Sequence, residues 1–432
     1  MRNGKNPRIY YGWLVLALGF FTMLVAYSLR YNFSVFYVAI LEHFGWGRGE
    51  TAAGFSINLI VYAISCPLAG NLVDRFGVRV TVPVGAVLLG IALSACSLIH
   101  AIWQFYLIIG ITAFGNCAMG YVAHVPMIAN WFVKRRGLAL GVLSAGVTAS
   151  AVIAPGVQFL ITALGWKGAF VVLAGLSAFV VAPLAAIFAR QRPEDMGLNG
   201  ESDHEGFSED QAGGSNDLVA DREWVSRDWT PAGAVKTPRF WWMSLACLFL
   251  GFYCYTLLAH QVAYLTDAGY SRAFAAGIVA IFCVLATLSS FCTLISDFLG
   301  REITFTLSSG CTLIGMVLLM SIRDPLHPWM PYLYALVFGF GYGLCIALMA
   351  VTSADLFHGK HYGAINGIFM ALFVFGGAVG PWFAGYLFDV TGSYDRMFPL
   401  LFLAVFASTA FIWLASPRRI RTVPGRTKRA AG

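Results

Sequence analysis

The chain has 432 residues and a formal net charge of +7, with 59% hydrophobic residues, 11% charged residues and a mean hydropathy of +0.73. That composition excludes an ordinary soluble protein and indicates an integral membrane protein. Nucleic-acid binding is not needed to explain the positive balance. Of the 28 Lys and Arg, 22 fall in the two tails and in alternate loops, five fall in the opposite loops, and Arg30 lies inside an apolar stretch. By the positive-inside rule, both tails are expected in the cytoplasm of a multi-pass cell-membrane protein.

Twelve stretches of spanning length are expected, at 11–41, 52–72, 79–99, 102–126, 137–162, 167–189, 240–265, 273–296, 303–322, 328–350, 363–388 and 397–415. The first is too long for a cleaved signal peptide and is expected to remain as a helix. It holds Arg30, the one cation well inside a span, with no Asp or Glu beside it. Such a residue faces a cavity or a partner, or snorkels to the membrane surface. At about 1.5 Å per residue, Arg30 lies roughly 28 Å beyond Tyr11, so depth leaves both readings open. Tyr27, Arg30, Tyr31, Ser34 and Tyr37 share one helix face by spacing, as a polar wall requires.

Between spans two and three runs Gly70-Asn-Leu-Val-Asp74-Arg75-Phe-Gly77-Val-Arg79, and a shorter counterpart, Ser296-Asp297-Phe-Leu-Gly300-Arg301, follows span eight. Carboxylates beside arginines in tight glycine turns suit latches between helix ends. Asp74, Arg75, Arg79, Arg135, Arg136, Asp297, Arg301 and Asp355 are therefore assigned to cytoplasmic gating and topology. Span four carries Asn116, Tyr121 and His124. His124 is read either as a substrate contact or as a neutral histidine satisfied by a carbonyl. Gly137, Gly141 and Pro155 recur as Gly363, Gly367 and Pro381, all offset by 226 residues. The chain is thus read as two related halves: a six-helix bundle over 1–189, a cytoplasmic linker over 190–239, a second bundle over 240–415 and a basic tail over 416–432. The linker is rich in Gly, Ser and acids and is expected to be loosely held. Trp224, Trp229 and Val235 after it form either a short interfacial segment or plain coil. Further along, His260, Tyr342, Asn366 and Phe373 are weighed as lining residues against ordinary packing roles. The nine cysteines lie within spans without metal-site spacing and are read as reduced packing residues. No metal or cofactor is expected.

The glycine–aspartate–arginine loop resembles that of the major facilitator superfamily. Asn130-Trp-Phe-Val-Lys134-Arg135-Arg136-Gly137-Leu-Ala-Leu-Gly141-Val-Leu-Ser-Ala145-Gly146 resembles the signature of the monocarboxylate transporter family. Tyr11-Gly12-Trp13, His43-Phe44-Gly45-Trp46, and Arg192 through Leu198 are similar to the bacterial branch shared with oxalate:formate antiporters. His260 through Gly269 adds a matching feature in the second half. The resemblance implies the major facilitator fold and a small carboxylate as substrate. It departs where monocarboxylate transporters often place an arginine inside the eighth helix, since that span has only Arg272 and Asp297 at its edges. The cation of the oxalate exchanger's eleventh helix is missing as well.

The expectation is an all-α secondary carrier, not an enzyme, that moves a small organic anion by alternating access, as a monomer in the lipid bilayer. Arg30 supplies the counter-charge, with Tyr27, Tyr31, Asn116, Tyr121, His124, His260, Tyr342, Asn366 and Phe373 as substrate contacts. No carboxylate relay lies inside the spans, so a coupled proton, a counter-anion and uncoupled diffusion all stay open. The alternatives are an exporter of amphiphilic compounds, favoured by the aromatic walls, and a membrane sensor built on a transporter fold.

Overall fold

The computed structural model describes residues 10–46, 48–133, 135–197 and 220–420, and no strand occurs among them. The first half contains α1 (Tyr11–Tyr31), α2 (Phe33–Phe44), α3 (Arg48–Phe76), α4 (Val78–Cys96), α5 (Ile102–Met119), α6 (Tyr121–Trp131), α7 (Arg136–Val152), α8 (Ala154–Gly175) and α9 (Ala182–Phe188). A π-helical stretch, Leu176–Val181, joins the last two. Short helices α10 (Arg222–Ser226) and α11 (Pro231–Ala234) precede the second half. That half contains α12 (Pro238–Asp267), α13 (Arg272–Phe291), α14 (Ser296–Leu299), α15 (Arg301–Ser321), α16 (Trp329–Leu356), α17 (Tyr362–Thr391) and α18 (Met397–Ala415).

Eleven helical stretches among the described residues are long and apolar enough to cross a membrane. Within α8, Gly165 has φ 71° and ψ 166°, a conformation that ends one helix and starts another. Residues 136–164 therefore make one crossing and 166–188 the next, which brings the path to twelve.

Three spans expected as single helices are interrupted. The first breaks at Asn32, whose side-chain amide donates to the carbonyls of Ser28 (2.7 Å) and Ser150 (2.9 Å). The fourth breaks at Gly120 and runs on to Trp131. The fifth breaks at Ile153, ahead of Pro155, which has no N–H for the ladder. Its repeat partner Pro381 sits inside the unbroken α17. Hydropathy is blind to all three, because an apolar run reads the same across a break.

The halves meet where glycine lets backbones touch. A Cβ on Gly70 of α3 would lie 2.1 Å from the Gly363 carbonyl of α17, and one on Gly141 of α7 would lie 2.2 Å from the Ser290 carbonyl of α13. Both contacts lie toward the end of the molecule that holds Tyr10 and Ile420, hereafter the tail side.

Candidate functional site

Arg30, in the last turn of α1, is buried, with 7% of its surface exposed. Its Nη2 donates to the Tyr255 hydroxyl of α12 at 2.8 Å, so it joins the two halves. The guanidinium carbon stands 4.7 Å from the Tyr62 ring centroid, 5.5 Å from that of Tyr255 and 6.0 Å from that of Tyr27. Such contacts are worth about 0.5–1 kcal/mol each at exposed sites and about 2 kcal/mol or more when desolvated. The Tyr27 and Tyr62 hydroxyls are 2.8 Å apart, which braces two walls of the cage. Among the described residues, Arg30 has no carboxylate within ion-pair distance, and its Nε meets no partner. The Tyr255 ring fits because α17 has glycine at 377, where a Cβ would fall 2.3 Å from the ring.

Arg30 and Asn116 line one cavity with Phe55, Asn58, Leu89, Ile109 and Thr112. Its free space is on the order of one water molecule. Asn58 donates to the Ile109 carbonyl and to Thr112 Oγ1, whereas Asn116 Oδ1 has no partner. Of the other expected lining residues, Tyr31 approaches Tyr342, and Phe373 packs on Tyr255 with centroids 5.6 Å apart. Ser34 and Tyr37 have side chains outside the described residues. Tyr121 bonds Ser144 at 2.8 Å. His124 is fully buried and donates from Nδ1 to the Gly120 carbonyl at 3.0 Å, leaving Nε2 without a partner. Asn366 is fully buried too, and neither of its polar atoms is paired. His260 is spent elsewhere, with Nε2 donating to the Pro381 carbonyl (2.9 Å) and Nδ1 accepting from Tyr394 (3.1 Å).

On the tail side the polar residues form a latch between the halves. Asp355, at the end of α16, accepts from Arg136 Nη1 of α7 and from Arg301 Nε of α15, each at 2.8 Å. Arg301 also pairs with Asp297 at 2.7 Å. Asp74 accepts the backbone N–H groups of Gly363 (2.9 Å) and Ala364 (2.7 Å), in the first turn of α17. Asp297 accepts the N–H of Gly137, in the first turn of α7, at 3.3 Å. A carboxylate from each half thus caps a helix start of the other, where unpaired N–H groups and the helix dipole favour negative charge. Arg75 and Arg79 are not among these cross-half contacts. Arg75 lies over Phe76, Arg79 donates to the Ala186 carbonyl within the first half, and Arg135 is exposed at the start of α7.

A family model described as Major Facilitator Superfamily matches residues 19–381. The chain belongs to the Major Facilitator Superfamily. It is a multi-pass membrane protein of a transporter family. This member is similar to monocarboxylate transporter 11 of Mus musculus, at 25% identity over 429 residues, covering 95% of this chain and 88% of that one. Monocarboxylate transporter 2 of Homo sapiens is 25% identical over 412 residues, covering 94% and 84%. Monocarboxylate transporter 12 of Rattus norvegicus is 23% identical over 420 residues, covering 94% and 85%.

Tyr62 and Tyr255 of the cage, with Phe55, Asn58, Leu89, Ile109 and Thr112 of the cavity, are site residues that sequence reasoning missed. A tyrosine in an apolar span raises no contrast in hydropathy or charge, and Tyr255 stands 225 residues from Arg30. The pair Gly376-Gly377 in α17 was the available signal that a bulky ring has to be accommodated there.

Proposed function

We propose that this transporter carries a small monocarboxylate, with Arg30 as the counter-charge and alternating access as the mechanism. The observation that supports it is a buried guanidinium at the contact between halves, caged by tyrosines and lacking an acid partner among the described residues. Leaving such a cation uncompensated costs several kcal/mol, and an entering carboxylate offsets that cost by accepting a paired hydrogen bond. The free Nε and the Nη2 now held by Tyr255 supply the fork. Asn116, which lines the cavity beside Arg30, has an unpaired Oδ1 that can accept from a water carried in with the acid. On this reading the tail side faces the cytoplasm, in keeping with the distribution of Lys and Arg, and the Asp355 latch must break for release there. The names of the relatives favour the same substrate class.

The test is thermal stabilisation of the purified protein, wild type and Arg30→Gln, by mono- and dicarboxylates, hydroxy acids, aromatic acids and lipophilic cations. Monocarboxylates are expected to stabilise the wild type alone, and the winning acid is then followed as flux in vesicles. Stabilisation of both proteins by lipophilic cations, with none by acids, sinks the proposal and favours an amphiphile exporter. Binding with no flux favours a sensor.

A further inference from the structure

The segment after the linker is clamped to the end of α16. The Trp224 indole N–H donates to the Leu356 carbonyl at 2.7 Å, satisfying one of the four carbonyls that a helix end leaves unpaired. Leu356 directly follows Asp355. Trp224 and Trp229 lie with centroids 4.4 Å apart, and both pack on the buried Phe357, at 5.9 and 5.7 Å. Trp229 Nε1 donates to the Trp224 carbonyl, and the Arg239 guanidinium covers the Trp224 ring at 4.2 Å. Asp221 caps α10 by accepting from the Trp224 N–H, while the N–H groups of Ala220 and Asp221 both donate to the Ile420 carbonyl. None of these contacts reaches the first half.

We propose that Trp224 is a positioning residue for the tail-side latch. By pinning the last turn of α16, it holds the Asp355 carboxylate in line with Arg136 across the halves. The segment and the stretch at Ile420 that it bonds then set how readily the tail side opens. The inference rests on reading the Arg136–Asp355 pair as a latch that opens and closes.

The test is hydrogen–deuterium exchange on the full-length protein without ligand, which keeps it independent of the substrate proposal. Trp224→Phe keeps the ring and removes the donor. Losing a bond of this kind is expected to speed exchange roughly fivefold over 136–141, the α7 start that Trp224 does not touch. Asp355→Asn should produce a similar change, and the double variant should show no more than Asp355→Asn alone. Trp241→Phe is the control, because it removes an indole bond of 2.9 Å to the Val235 carbonyl near the same segment and should leave 136–141 at the wild-type rate. The proposal is overturned if Trp224→Phe speeds exchange only at 353–357, if it adds fully to Asp355→Asn, or if Trp241→Phe has the same effect.

Discussion

At the scale of single residues, the cage shows how neutral groups prepare a charge. Tyr62 and Tyr27 are locked to each other, so on the proposed reading they would keep their places when a substrate enters, whereas Tyr255 comes from the other half and is the wall that would leave. Its position depends on the missing side chain at Gly377. Gly377→Ala would put a Cβ 2.3 Å from the Tyr255 ring and push it off Arg30. Without a competing hydroxyl, Arg30 should bind acids more tightly while the unloaded protein loses about 1–3 kcal/mol of stability. Thermal melting with and without acid reads both quantities, and weaker acid binding in this variant would count against Tyr255 as the displaced group. Arg30 was legible in the sequence because a lone charge in an apolar span stands out in one dimension. The Tyr27 wall of its cage was legible by spacing, but the Tyr62 and Tyr255 walls were not, because Tyr62 comes from another helix and Tyr255 from 225 residues away.

Among elements, two glycine contacts of similar tightness have different consequences. Gly251 of α12 faces the Phe373 carbonyl of α17 inside the second half, where a Cβ would come within 1.8 Å. Gly141 of α7 faces α13 across the halves. Gly251→Ala should behave as core overpacking, lowering stability by about 1–3 kcal/mol and the melting temperature with it. Gly141→Ala has an escape, since the halves can part. It should leave melting nearly unchanged but increase exchange at the tail-side ends of α7 and α13. Equal loss of melting temperature in both would mean that the halves are one rigid core. The spans themselves were readable from hydropathy, but the breaks at Asn32, Gly120 and Ile153 were not. Side chains and backbone geometry make those breaks without altering the apolar character of the stretch.

Across the whole molecule, the internal repeat has a meaning that its spacing alone did not convey. Asp74 and Asp297 belong to the paired loops, and Gly363 and Gly137 to the paired helix starts, and each carboxylate caps the helix of the opposite half. The repeat and the loop motifs were separately visible in the sequence, but their crossing required the fold. The two latches are unequal. Asp74 accepts two backbone bonds, whereas Asp297 shares its charge with Arg301 and accepts one longer bond from Gly137.

That no described acid pairs with Arg30 has an electrical consequence. On the proposed reading, a site holding one monoanion is neutral, whereas the empty site carries one positive charge through its share of the membrane field. A full crossing is worth about 2.3 kcal/mol per charge at 100 mV. Exchange of acid for acid moves only the neutral form and should be indifferent to voltage. Net transport must return the empty form and should change with an imposed potassium diffusion potential. Vesicle measurements of both modes on one preparation separate these cases, and equal voltage sensitivity in the two would show that Arg30 is compensated by something other than the substrate.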